Sequence, residues 1–279
     1  MAIQVVKTIH EFLQLRQECT GLVGFVPTMG YLHEGHLSLV RRAKVDNSIV
    51  VVSIFVNPSQ FSPAEDLRTY PRDISHDLEL LSKEKTDIVF IPSDEEMYPA
   101  DFSTWVDVGG ITEKLEGACR SGHFRGVATV VIKLFNIVRP ARAYFGQKDA
   151  QQALVIKRMV ANLNMDIKIV VVPTVRESDG LAMSSRNIYL NSEERHAATV
   201  LFEALSLARE LCHDGEHDAD RIRQQMTLLI QKEPLAQIEY ISIADAETLE
   251  ETKIIDRHVL ASLAVKIGKM RLIDNSLLE

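Results

Sequence analysis

The chain has 279 residues, room for one large or two modest domains, and its 46% hydrophobic and 25% charged content is that of an ordinary globular protein. A formal net charge of −8 argues against a general nucleic-acid binder and requires any polyanion site to be positive locally, against the global field. The chain lacks the run of about 18 apolar residues that a membrane span needs. It also lacks a signal-peptide pattern and CxxC spacing among Cys19, Cys119 and Cys212, so the expected setting is the cytoplasm, with no disulfides, no zinc and no membrane.

Apolar, β-branched runs at residues 22–26, 49–56, 87–91, 143–145 and 167–172 suit strands buried on both faces of a parallel sheet. Helical patterns at 37–44, 74–85, 127–137 and 150–163 alternate with them, which predicts βαβ units. In such sheets ligands collect at the carboxyl ends of the strands, where Pro27, Asn57, Pro92 and Gly146 fall. After Pro173 the pattern changes. Residues 193–212 predict one long amphipathic helix, 219–232 another, and 238–243, 259–267 and 270–273 strands, the last two joined by a turn at Gly268 and Lys269. The expected architecture is a Rossmann-like α/β domain over 1–175 and a smaller α+β domain over 176–279.

Two stretches carry chemistry. PTMGYLHEGH at 27–36 joins a strand to a helix, and its Gly30 and Gly35 permit turning and close approach to a ligand. A helix N-terminus offers free N–H groups and a positive dipole end to phosphate. In that first turn the three-residue spacing of His33 and His36 sets both rings on one side, as donors to phosphate oxygens. HExxH is absent, which argues against zinc hydrolysis. The second stretch, GLAMSSRN at 180–187, offers the hydroxyls of Ser184 and Ser185 and the forked guanidinium of Arg186. Between them, GQKDAQQ at 146–152 follows a strand and opens a helix. There Lys148 supplies a point charge, Asp149 a candidate N-cap, and Gln152 a side chain three residues further on. Gln60, after Asn57 and Pro58, is an amide able to pair with a carboxylate and a hydroxyl at once.

HEGH resembles the HxGH signature of the nucleotidyltransferase superfamily that includes the class I aminoacyl-tRNA synthetases. PTMGYLHEGHLSLV is similar to the form found in the pantoate–β-alanine ligase family. FVNPSQF at 55–61, GHFRGVATVV at 122–131, YFGQKDAQQ at 144–152 and RESDGLAMSSRN at 176–187 resemble that family in the same order, over nearly the whole chain. MSSRN resembles a reduced form of the synthetases' mobile KMSKS loop. Where most of the family carries Glu, this chain has Gln147.

The resemblance implies an HxGH-type Rossmann fold and ATP-dependent ligation of pantoate to β-alanine through an acyl adenylate. It implies ATP contacts from Met29, Gly30, Tyr31, Leu32, His33, Glu34, Gly35, His36, Gly146, Gln147, Lys148, Asp149, Val175, Met183, Ser184, Ser185 and Arg186. Gln60 and Gln152 are implied to bind pantoate, and His36 to be the proton donor. Charge on the phosphates would be met by His33, His36, Lys148, Ser184, Ser185 and Arg186, with Mg²⁺ held largely by ATP and water. Arg120 is a further candidate contact. A homodimer is implied, as is a lid formed by the second domain, hinged near 175–177.

Overall fold

A computed structural model describes residues 3–61 and 67–278. The chain divides into two compact units, Met1–Pro173 and Thr174–Glu279, so the division falls two residues before the expected one and Val175 opens the second unit.

The first unit runs β1 (Gln4–Val6), α1 (Ile9–Glu18), β2 (Val23–Thr28), α2 (Glu34–Asp46), β3 (Ile49–Ile54), α3 (Ile74–Lys83), β4 (Ile88–Phe90), α4 (Asp94–Met97), α5 (Leu115–Cys119), α6 (His123–Val138), β5 (Arg142–Gly146), α7 (Ala150–Asn162) and β6 (Lys168–Val172). Its strands form one parallel sheet in the order β1-β4-β3-β2-β5-β6. From β2 the chain first winds outward through β3 and β4, then returns to lay β5 against the other side of β2. The switch point of this doubly wound sheet therefore lies between β2 and β5.

Alternation along the buried strands covers both faces. Val26, Val50, Val52 and Val89 pack with Leu39, Val40 and Ala43 of α2 and Leu81 of α3. On the opposite face Phe25 meets Phe135 of α6 at 6.3 Å between ring centroids, and Phe90 meets Phe12 of α1 at 5.0 Å. Each such buried side chain is worth roughly 1.5–3 kcal/mol of transfer free energy. This two-sided burial is why the strands read as unbroken apolar runs. The three-residue β1, on the sheet edge beside β4, carries too little pattern to be predicted.

The second unit begins with a single-turn helix at Ser185–Tyr189 and continues with α8 (Ser192–Ala197), α9 (Val200–His213), α10 (Ala219–Ile230) and strands β7 (Ala236–Asp245), β8 (Val259–Ile267) and β9 (Met270–Leu278). The strands form an antiparallel sheet, β7-β8-β9, whose last hairpin turns through Gly268 and Lys269 between paired Ile267 and Met270. The α/β-plus-α+β expectation holds, with two local differences. The long helix expected over 193–212 is broken at Ala198 and Thr199, where the Thr199 hydroxyl turns back to donate to the carbonyl of His196 at 2.8 Å. The last strand runs five residues past its expected end, because Asp274 and Asn275 are buried and interrupt the apolar alternation.

Candidate active site

The loop after β2 is tied down almost atom by atom. The Thr28 hydroxyl donates to the Ser53 carbonyl at 2.7 Å and accepts from the Gly30 N–H at 3.2 Å. Gly30 and Tyr31 both take left-handed backbone conformations, with φ +83° and +51°. A Cβ on Gly30 would stand 2.9 Å from Ile54 Cγ2, so only glycine fits. The chain then reaches His33, which caps α2 with extended backbone.

His33 and His36 form a reciprocal capping box. Gly35 N–H donates to His33 Nδ1 at 3.2 Å, and His33 N–H donates to His36 Nδ1 at 3.3 Å. With each Nδ1 accepting, each neutral ring carries its proton on Nε2 and presents it as a donor. The rings lie 4.1 Å apart, tilted by 43°. The N–H groups of Gly35 and His36 are engaged by the Nδ1 and carbonyl of His33, so the donors this turn can offer include the imidazole Nε2–H groups. Burial above all, then the charge of His33, pushes His36 down to about 3. Lys148 acts in the same direction and Asp149 opposes it. His36 is therefore neutral at physiological pH, and the turns after β2 and β5 stand within electrostatic reach of each other.

In the turn after β5, Gly146, Gln147, Lys148 and Asp149 lead into α7. Asp149 occupies the N-cap position but makes no side-chain cap bond, and its carboxylate lies 3.5 Å from Lys148 Nζ. The two glutamines that follow differ in use. Gln151 is buried and bonded to the backbone of Ile111, Lys114 and Glu116, whereas Gln152 is only partly buried.

Gln60 is held from several directions. Its Oε1 accepts from Asn57 Nδ2 at 3.0 Å, and its Nε2 lies 2.9 Å from Met29 Sδ, which links it to the β2 loop. Asn57 also donates to the Gly126 carbonyl, and its Oδ1 accepts from the Tyr98 hydroxyl at 2.8 Å. The His123 ring is tautomer-locked. Arg120 Nη1, which can only donate, lies 3.0 Å from Nε2, so the proton sits on Nδ1 and is donated to the Gln60 carbonyl at 2.8 Å. Arg120 thus joins the site's frame through His123. A cavity of about 250 Å³, walled in part by Met29, Gly30, Phe55, Val56, Arg72 and Asp77, opens at these strand ends.

In the second unit, Met183 N–H donates to the Val175 carbonyl at 3.0 Å, closing the loop that leads to Ser184, Ser185 and Arg186. Ser184 caps the following turn by accepting from Arg186 N–H at 3.3 Å, and Ser185 is buried. Arg176 fixes the base of this loop. It forks onto buried Asp274 at 2.5 and 3.0 Å, donates to the Gly180 carbonyl and stacks on Phe202.

Residues 2–277 match the family model for pantoate–β-alanine ligase. The chain belongs to the pantoate–β-alanine ligase family. It is 60% identical to the pantothenate synthetase of Roseiflexus castenholzii over 99% of this chain and all of that one, and 54% identical to that of Thermotoga petrophila over 99% of each. The crystal structure of pantothenate synthetase from Thermus thermophilus superposes with a TM-score of 0.94 at 47% identity, covering 98% of each chain. A Francisella tularensis pantoate–β-alanine ligase, complexed with β-γ ATP and β-alanine, superposes at 0.82 with 35% identity over 99% of this chain and 98% of that one.

In this member of the pantoate–β-alanine ligase family, the sequence reading missed residues that act through others. Gly126 lets α6 press on the Gln60 turn, since a Cβ there would sit 2.3 Å from the Ser59 carbonyl oxygen. Tyr98 anchors Asn57. Asp77, on α3, accepts from two amides of the β2 loop. The second glycine of GHFRGV was the available sign for Gly126; Asp77 and Tyr98 carry none within the motifs.

Proposed function

We propose that this protein joins pantoate to β-alanine with ATP, releasing pyrophosphate and AMP. A pantoate carboxylate oxygen attacks the α-phosphorus, and the bond from phosphorus to the β-bridging oxygen breaks. The neutral amine of β-alanine then attacks the acyl carbon, the carbon–oxygen bond to AMP breaks, and the amine's proton passes to solvent. The observation that carries this reading is the pairing, in a chain of this family, of the His33 and His36 donors with the Lys148 turn at the sheet's switch point.

In this reading the Nε2–H groups of His33 and His36 and the ammonium of Lys148 meet charge building on the α-phosphate and the leaving pyrophosphate. An imidazole as hard to protonate as His36 works by donating a hydrogen bond, which refines the proton-donor role that the resemblance implies. Met29 to His36, 146–149 and, from the second unit, Val175 and 183–186 would line ATP. Gln60 and Gln152 would hold pantoate through its carboxylate and hydroxyls. Positioning does most of the work, since adenylation itself supplies the leaving group.

Mg²⁺ fits this donor set as a companion of the nucleotide. No cluster of three or more acidic, His or Cys ligands occurs among the described residues, and a hard cation on a triphosphate is served by phosphate oxygens and water. Its chemistry there is charge neutralisation on the phosphates. We place the enzyme in the cytoplasm, where the thiols of Cys19, Cys119 and Cys212, none of them in a disulfide, stay reduced, and read it as a homodimer. The test is exchange of labelled pyrophosphate into ATP. It should require pantoate, and AMP should appear only when β-alanine is added. Exchange without pantoate, or an adenylylated product that persists with β-alanine present, would overturn the reading.

A further inference from the structure

We propose that Asp77 is a positioning residue for adenylation, its carboxylate fixing the turn from which both histidines are aimed. The proposal rests on the reading of His33 and His36 given above. Asp77 lies on α3, 46 residues from Tyr31 in sequence, and its side chain is fully buried. Oδ2 accepts from Tyr31 N–H at 2.9 Å and Oδ1 from Leu32 N–H at 2.7 Å. The two bonds clamp a non-glycine residue held at φ +51°, directly after Gly30 at +83°.

A tyrosine in the left-handed region is strained, and it stays there only where its surroundings over-determine it. Here the over-determination is one carboxylate. Without it two amides lose their acceptors, and Tyr31 is free to relax toward negative φ. The chain direction at Leu32 then changes, and Leu32 leads straight into His33, the N-cap whose ring and whose partner's ring are locked by the reciprocal box. Both Asp77 oxygens are engaged by backbone. With both oxygens so engaged, its effect on the reaction runs through the geometry of the turn, although the residue also borders the cavity at the strand ends.

Asp77→Asn preserves shape but sets an amide N–H against one of the two backbone N–H groups. We expect this variant to keep wild-type circular dichroism and to lose roughly 10- to 100-fold in kcat for pantoate-dependent pyrophosphate exchange, the scale of an ångström-level misplacement. The KM for pantoate, set by other elements, should stay within about threefold, by the same reasoning. In a His36→Ala background the substitution should cost less than in the wild type, because the part of its effect that runs through His36 is already lost and only the part through His33 remains. Tyr31→Gly, which removes the cost of positive φ, should restore much of the rate in D77N.

Three results would each overturn the proposal: wild-type exchange in D77N; an undiminished loss in the His36→Ala background, which marks general structural damage; or a shifted Mg²⁺ requirement, which marks a metal ligand. If D77N does not fold, Tyr31→Val reads the same turn. Exchange should fall further in Tyr31→Val than in Tyr31→Gly, since both remove the side chain from the nucleotide-lining turn and only valine resists positive φ, and equal rates in the two would refute the idea. A wild-type protein without pantoate-dependent exchange would instead refute the proposed function, independently of Asp77.

Discussion

Replacing His36 by Gln should change how stability depends on pH. Burial and neighbouring charge push His36 down to about 3, against 6.5 for an exposed imidazole. Between those values the unfolded chain binds a proton that the folded chain refuses, so stability present above pH 6.5 is lost as pH falls toward 3. From pH 8 to pH 5 this one ring removes up to about 2 kcal/mol (roughly 1.5 pH units at about 1.36 kcal/mol each), and nearer 1 kcal/mol once its partial exposure to water is discounted. Trp105, the sole tryptophan, lies in the same unit as His36, so its fluorescence in urea reports the relevant unfolding. Wild type should lose about 1–2 kcal/mol more than His36→Gln over this interval, with equal m-values; the remaining histidines cancel in the comparison. An identical loss in both proteins, or a larger one in the variant, would show that His36 titrates normally and would remove the basis for treating it as a neutral donor.

Gly126→Ala should lower stability by about 1–3 kcal/mol and raise the pantoate KM, since its Cβ would stand 2.3 Å from Ser59 O and 2.7 Å from Gln60 Cα; unchanged melting and KM would refute the account of that contact. Lys148→Ala and Ser185→Ala should each slow pyrophosphate exchange by roughly 10²-fold without unfolding the protein, and near-normal exchange would remove them from the phosphate site. Asp274→Ala strands Arg176 and should cost about 3 kcal/mol in thermal or urea unfolding, the lower end for a broken buried pair because Arg176 is partly exposed. A loss under about 1 kcal/mol would mean that water replaces that carboxylate.

The sheet was legible because its strands are buried on both faces and written in Val and Ile, and because the turns after them carry Gly, Pro and the reactive side chains together. β8 matches its expected limits residue for residue, since each of its positions but one is buried. β9 was cut short by Asp274 and Asn275, whose polarity signals exposure until Arg176, almost a hundred residues away, supplies the partner. The same limit applies at the site. HxGH, GQKD and MSSRN are local strings and were read directly, whereas the supports of Tyr31 and Gln60 come from α3, from Tyr98 just after α4, and from α6, through contacts between distant segments. The sequence also suggested backbone N–H groups as the anion donors. The Nδ1 and carbonyl of His33 take up those of Gly35 and His36, and with both Nδ1 atoms accepting the ring protons sit on Nε2, a tautomer that only hydrogen-bond geometry can assign.

The central claim is that the pantoate carboxylate itself attacks the α-phosphorus. Pantoate labelled with ¹⁸O in its carboxyl group, turned over with ATP and β-alanine, should deliver one ¹⁸O to the phosphate of AMP and leave the other in the amide carbonyl of the product. Unlabelled AMP, or label appearing in inorganic phosphate or pyrophosphate, would contradict it.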